Sequence, residues 1–299
     1  PQPSAEGKLS IGIDFKLIAQ DGKQFDIDQA LRYYIDQIGE VEIDGKTVTV
    51  NQDNYKKYDF YVFNSHWCFE KFRMRFKVPT DRCTVIKNAV DPFPTKIFKR
   101  KNKLKMIYHS TPWRGLNVLL GAMQLIKSED VELDVYSSTQ IYGDQFKNAN
   151  DDQYKELYEQ AKSLPNVNYI GYVSNDEIRK KLPEYDVYCF PSIWEETSCI
   201  SAIESLAAGL HMITTNYGAL YETCSEWPVY INYTNDYKQL AQLFAFSIDE
   251  VNSYLYKGSV PEFLTSQQQF YNKFYSWERR KGEWNNFLQG LLHEKRSKF

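Results

Sequence analysis

Two carboxylates eight residues apart, Glu196 and Glu204, bracket a small polar turn, Thr197-Ser198-Cys199, at a loop-to-helix junction. Small polar residues let the backbone approach a ligand closely. The helix that follows offers the N–H groups of Ser198, Cys199 and Ile200 at its first turn, a natural seat for a diphosphate. Glu204, one turn in, is placed to accept hydrogen bonds from ribose hydroxyls, and Glu196, ahead of the helix, to hold hydroxyls of a sugar. Acids around a helix start suit a ligand that is half diphosphate and half polyol, the chemistry of a nucleotide sugar. A plainer reading stands beside it: Ser201-x-x-Glu204 is itself a capping-box pattern, and Glu196 is then a surface acid.

A second group of polar residues reads His109-Ser110-Thr111-Pro112-Trp113-Arg114-Gly115-Leu116. A permanently charged guanidinium beside a helix start neutralises a departing diphosphate, and Ser110 and Thr111 add donors at the same strand end. The alternative is an N-capping loop with an exposed Arg. Both groups follow apolar strand segments, and parallel sheets bind ligands beyond the carboxyl ends of their strands.

The elements that must position these residues alternate from Leu104 onward. Strand segments 104–108, 131–136, 168–171, 186–190, 211–215 and 229–232 are separated by helical stretches at 115–127, 154–163, 174–182 and 199–208, the last closed by Gly209. Ser174-Asn175-Asp176-Glu177 is a capping box. This order predicts an α/β fold with a parallel, doubly wound sheet. The first hundred residues are less regular. Segments 9–15 and 59–63 read as strands, 27–38 and 68–76 as helices, and 41–50 as a hairpin around Asp44-Gly45. A strand at 84–93 leads into a Pro-containing connector at 92–100, where the domain boundary is expected, and 262–294 reads as helical with Ser276-Trp277 opening the last helix.

Composition bounds the classes. The chain has 299 residues, enough for two cores, and a net charge of −3, which supplies no general attraction to nucleic acid or acidic membranes. The basic run Lys96–Lys105 reads as a solvated linker. Five cysteines without a CxxC pair argue against a disulfide framework and for a reducing, cytoplasmic setting. No metal-ligand spacing links the Cys and His residues, no apolar run reaches membrane-span length, and no signal peptide is visible. The sequon Asn232-Tyr233-Thr234 reads as accidental.

The ordered blocks STPWRGLNVLL, VELDVYSS, NVNYIGYVSNDEI, YDVYCFPSIWEETSCISAIESLAAG and TTNYGALYE resemble the retaining glycosyltransferases of family 4, with the GT-B fold, and within it bacterial and viral members carrying an S-x-P-x-R-G-L loop. The resemblance covers about residues 59–292. It implies two Rossmann-like domains facing a cleft: a shortened acceptor-side domain at 1–95, a nucleotide-sugar domain at 96–261, and helices at 262–299 crossing back toward the first. Glu196 and Glu204 match the two acids of the E-x7-E motif, associated with donor sugar and ribose. Thr197, Ser198, Cys199 and Ile200 match the segment whose backbone meets sugar and diphosphate. Arg114 matches the basic residue facing the diphosphate, with His109, Ser110 and Thr111 in the same loop, and Tyr172 and Val173 match the loop touching the nucleobase.

Departures accompany the match. Where the family has a second basic residue before Arg114, this chain has Tyr108-His109, and a protonated His109 would replace that charge. The family's Gly-rich acceptor loop is not recognisable, and His66 is the candidate for its active-site His, with a packed or capping His as the alternative. The implied reaction moves a sugar from a nucleoside diphosphate to a glycan, lipid or protein acceptor without a metal or other cofactor, the leaving phosphate taking the acceptor proton. A catalytically impaired donor-binding or scaffold protein is the competing expectation. Nucleic acid is not an expected partner.

Overall fold

The computed structural model describes residues 60–76, 78–99 and 102–297, together with four short strands before them: β1 (Lys16–Ile18), β2 (Gln24–Asp26), β3 (Glu40–Ile43) and β4 (Lys46–Thr49). The expected strand at 9–15 and helix at 27–38 lie outside the described residues. The chain divides into two compact units, Pro1–Asn88 and Ala89–Phe299.

In the first unit, β3 and β4 pair antiparallel with Ile43 opposite Lys46, the two-residue hairpin that Asp44-Gly45 predicts. β5 (Tyr61–Phe63), helix α1 (His66–Phe76) and β6 (Cys83–Val85) form one parallel strand–helix–strand step. Ser65 starts that helix by accepting from the Cys68 N–H at 2.9 Å. Phe63, fully buried, packs against Phe69 and Phe72.

The second unit is built on a six-stranded sheet: β7 (Leu104–His109), β8 (Val131–Tyr136), β9 (Val167–Tyr169), β10 (Val187–Phe190), β11 (His211–Thr215) and β12 (Val229–Ile231). Their spatial order is β12-β11-β10-β7-β8-β9 and every neighbouring pair is parallel. The chain winds one way through β7, β8 and β9, then returns to place β10 against β7, with Val187 opposite Met106. The order reverses there, and the crevice beyond the ends of β7 and β10 is the topological switch point where such sheets bind ligands.

β7, β10 and β11 are buried almost throughout because helices cover both faces; Met106, Ile107, Tyr188 and Met212 are inaccessible to solvent. The covering helices are α2 (Leu116–Met123), α3 (Asp144–Asn150), α4 (Lys155–Ser163), α5 (Asn175–Lys181), α6 (Ile200–Ala207), α7 (Leu220–Cys224), α8 (Tyr237–Tyr254), α9 (Val260–Phe274) and α10 (Trp277–Ser297). α5 carries the expected capping box, Ser174 and Glu177 each satisfying the other's backbone N–H. α8 is capped by Asp236, which accepts from Lys238 and Gln239 N–H at 3.0 Å.

Three expectations change. The helix expected over 115–127 is the shorter α2, and a 3-10 turn at Pro112–Arg114 precedes it, with Gly115 at φ 102° between them. The polar stretch after β8 holds α3, which its weak apolar periodicity did not announce. The connector at 89–99 packs on the second unit: Phe93 exchanges backbone hydrogen bonds with the Asn272 amide, and Gln268 bonds Lys96 and Pro94. Its basic run is tied down in part, with Lys96 reaching the Tyr185 carbonyl and Lys103 and Lys105 each 3.4 Å from Glu132. No disulfide joins any of the five cysteines.

Candidate functional site

β7 ends at His109 and hands the chain to a loop folded tightly back on the strand. Tyr108, buried beneath it, donates its hydroxyl to the Thr111 carbonyl at 2.7 Å. Ser110 and Thr111 are buried, and Thr111 Oγ1 has no hydrogen-bond partner. Gly115 then lets this loop touch the loop after β10: a Cβ there would fall on the Pro191 carbonyl.

The loop after β10 is held from the opposite side. Thr214, Thr215 and Thr223 donate to the carbonyls of Phe190, Ser192 and Ser198 at 2.7–2.8 Å. Glu196 pairs its backbone with Gly218, whose missing Cβ would lie 2.5 Å from Glu196 N, and Ala219 N–H donates to Glu196 O at 2.6 Å. This clamp aims the Glu196 carboxylate across the switch point, where Oε1 meets Arg114 Nε at 3.3 Å. Both side chains are largely buried, at 15% and 5% exposure for Arg114 and Glu196. An ion pair so desolvated is worth keeping only where both charges have further use or further partners.

Cys199 precedes α6 with φ 84° and ψ 86°, left-handed backbone that a side chain disfavours. The turn Thr197-Ser198-Cys199 thereby swings round to start the helix at Ile200. The capping-box alternative is not realised. Ser201 Oγ lies 2.9 Å from Tyr188 Oη and 3.3 Å from Cys199 Sγ, while Glu204 turns to α5. There Arg179 Nη1 donates to Glu204 Oε1 at 2.7 Å and Asn175 Nδ2 at 3.4 Å. Burial raises the Glu204 carboxyl above the ordinary carboxylate range, and Arg179 opposes that rise. Arg179 also donates to the Asp91 carbonyl at 2.7 Å and stacks 4.3 Å over Phe93. Neither Asn175 nor Arg179 was singled out from the sequence; the signal was their spacing of four on one helix face.

His109 corrects an expectation. Its ring is buried against Tyr188, 4.6 Å between centroids, with Nε2 2.7 Å from Ser205 Oγ. Burial lowers its pKa to about 3, so it is neutral near pH 7 and brings no second positive charge to the Arg114 loop. On the other side of β7, Ile170 and Gly171 N–H groups donate to Val135 O, and Tyr169 Oη donates to Ser137 O. This fixes the loop carrying Tyr172, which is exposed, and half-buried Val173 beside the end of β8. Ser137 Oγ, absent from the sequence expectations, is buried there without a hydrogen-bond partner. His66 is the exposed first residue of α1, in the first unit. Among the described residues no group of His, Cys, Asp and Glu has the arrangement of a metal site, and no helix is long and apolar enough to cross a membrane.

Fold and site together define a doubly wound, Rossmann-like α/β domain in which the loops after β7 and β10 meet at the switch point. The chain belongs to the family described as Glycosyl transferases group 1, which matches residues 88–252. It is 25% identical over 164 residues to an uncharacterized glycosyltransferase of Methanocaldococcus jannaschii, covering 49% of this chain and 40% of that protein. The chain thus spans well under half the length of that relative. Among solved structures it resembles a glycosyltransferase from Rickettsia africae, with TM-score 0.66 and 18% identity over 82% of this chain and 68% of that one. It also resembles Anabaena HepE in complex with UDP-glucose, with TM-score 0.62 and 15% identity over 81% and 68%. These likenesses agree with the expected α/β, GT-B class of fold.

Proposed function

We propose that the chain is a retaining glycosyltransferase of family 4, working in the cytoplasm on a nucleoside-diphosphate sugar and a glycan, lipid-linked or protein acceptor. The observation that carries this reading is the Arg114–Glu196 pair, set by two clamped loops at the switch point. In this reading Arg114 and the start of α6 take the diphosphate charge, with no metal or other cofactor. Ser110 and Thr111 donate to phosphate oxygens, and the backbone of Thr197, Ser198, Cys199 and Ile200 lines sugar and diphosphate. Glu196 holds sugar hydroxyls, Glu204 the ribose, and Tyr172-Val173 the base. As the bond from the anomeric carbon to the phosphate oxygen breaks, that oxygen takes the acceptor proton. HepE bound UDP-glucose, and UDP is therefore the first nucleotide to try.

Neutral His109 favours a second reading, donor binding without turnover, because it withholds one charge from the departing diphosphate. A thermal-shift screen with UDP, UDP-glucose, UDP-GlcNAc and GDP-mannose separates the two when followed by a donor-hydrolysis assay. Saturation at about a hundred times Kd is expected to add about 2.7 kcal/mol of stability. Glu196→Gln is expected to lower hydrolysis about a hundredfold or more, and EDTA to leave it unchanged. Stabilisation without hydrolysis selects the second reading; no stabilisation by any of the four at millimolar concentration rejects both.

A further inference from the structure

Beyond Gly218, the ends of β11 and β12 carry a second group of polar and aromatic side chains. Tyr217 and Tyr233 stack face to face, with centroids 3.9 Å apart and planes within 4°. Tyr233 Oη donates to Asn235 Oδ1 at 2.7 Å, and Tyr233 N–H donates to Asn216 Oδ1 at 3.0 Å. Asn216 Nδ2 in turn donates to Asn232 Oδ1 at 2.8 Å, so the sequon asparagine is one strut of this group. Tyr237, 40% exposed, and Glu195 lie close enough to Tyr233 to help burial push its hydroxyl up to about 12, so it remains a proton donor at neutral pH.

The group is continuous with the donor loops. Tyr217 immediately precedes Gly218, which pairs with Glu196, and Glu195 is the next residue back along that loop. Its chemistry is phenol faces, amides and a carboxylate. Aromatic faces take the C–H side of a sugar ring, and amides and carboxylates take its hydroxyls. Glu195 and the helix-capping Asp236 disfavour a phosphorylated or otherwise anionic ligand.

We propose that the Tyr217–Tyr233 surface is a subsite for a neutral oligosaccharide, which places the acceptor among glycans. The assignment as acceptor rests on the donor reading of Glu196; the binding itself does not. The test uses the full chain with maltotetraose, mannotetraose and chitotetraose as probes at about 10 mM, read by saturation transfer from protein to sugar protons in NMR. At least one probe is expected to bind, with Tyr233→Leu weakening it about fivefold, the size of one lost aromatic contact, and Tyr233→Phe within about twofold. The UDP-induced melting shift is measured on the same samples and is expected to be equal in all three proteins. Sugar binding that is Tyr233-dependent but unaccompanied by any UDP response upholds the subsite and removes the donor reading. No binding by any probe, or equal binding by Tyr233→Leu, overturns the subsite whatever UDP does.

Discussion

At the scale of single residues, the loops after β7 and β10 concentrate features that ordinary packing avoids: a desolvated Arg–Glu pair, a buried hydroxyl without a partner at Thr111, and a cysteine in left-handed backbone. Cys199 shows how the last can be measured. Its thiol, raised to about 12 by burial and by Glu196, is a poor nucleophile, so its chemistry does not explain its place. With φ 84°, any side chain there costs about 1–2 kcal/mol against glycine. Alanine normally stabilises relative to glycine through the unfolded state, yet here the order is expected to reverse, with Cys199→Gly more stable than Cys199→Ala by about 1 kcal/mol in urea unfolding. Equal stabilities, or the ordinary order, would show that the turn relaxes when the thiol is removed. Residue identity alone showed the acids and Arg114 but not what they face. Glu204 looked like half of a capping box because that pattern is local, whereas its partner Arg179 comes from a helix 25 residues away.

At the scale of elements, legibility followed burial. β8 and β11 occupy their expected spans, 131–136 and 211–215: in β8 buried Val131, Leu133 and Val135 alternate with half-buried Glu132 and Asp134, the period-two mark of a strand, and all five residues of β11 are buried. The excursion carrying α3 was invisible for the opposite reason: it is polar and short, with no buried residue to mark a face. The turn before α2 was missed because Gly115 reads as a helix start until the contact across the switch point is known. That contact gives a sharp expectation. A Cβ at Gly115 meets the Pro191 backbone, which has no rotamer to yield, whereas a Cβ at Gly143, also at positive φ, meets nothing within 4 Å. Gly143→Ala is therefore expected to cost only backbone strain, about 1 kcal/mol, and Gly115→Ala at least about 2 kcal/mol more. Gly115→Ala should also lose the UDP-dependent melting shift, because parting the two loops separates Arg114 from Glu196. Equal costs for the two substitutions would mean that the loops are not in contact in solution.

At the scale of the whole molecule, the second unit joins its sheet, the connector 89–99 and the C-terminal helices into one core, and it buries two histidines at opposite ends of that sheet. His109 sits at the carboxyl end of β7, and His211 at the amino end of β11 with Nε2 3.2 Å from Tyr254 Oη. Desolvation lowers them to about 3 and about 4, below the usual value near 6.5. A lowered histidine is neutral in the folded chain where the unfolded chain binds a proton. Its contribution is present in full above about pH 6.5 and is lost as pH falls toward the folded value. Glu204 acts with the opposite sign, since a raised carboxyl erodes stability as pH climbs through its folded pKa. Comparing a histidine variant with the parent chain cancels Glu204 and every other carboxylate common to both. His211→Phe removes one histidine and leaves the loops after β7 and β10 untouched. Its stability relative to the parent is expected to improve by about 2 kcal/mol between pH 7.5 and pH 5, read from urea midpoints by tryptophan fluorescence. Whatever fixed cost the Phe carries at pH 7.5 drops out of that difference. A parent and variant whose midpoints shift in parallel over this range would place the His211 ring in contact with water, contrary to its seat beneath Tyr254.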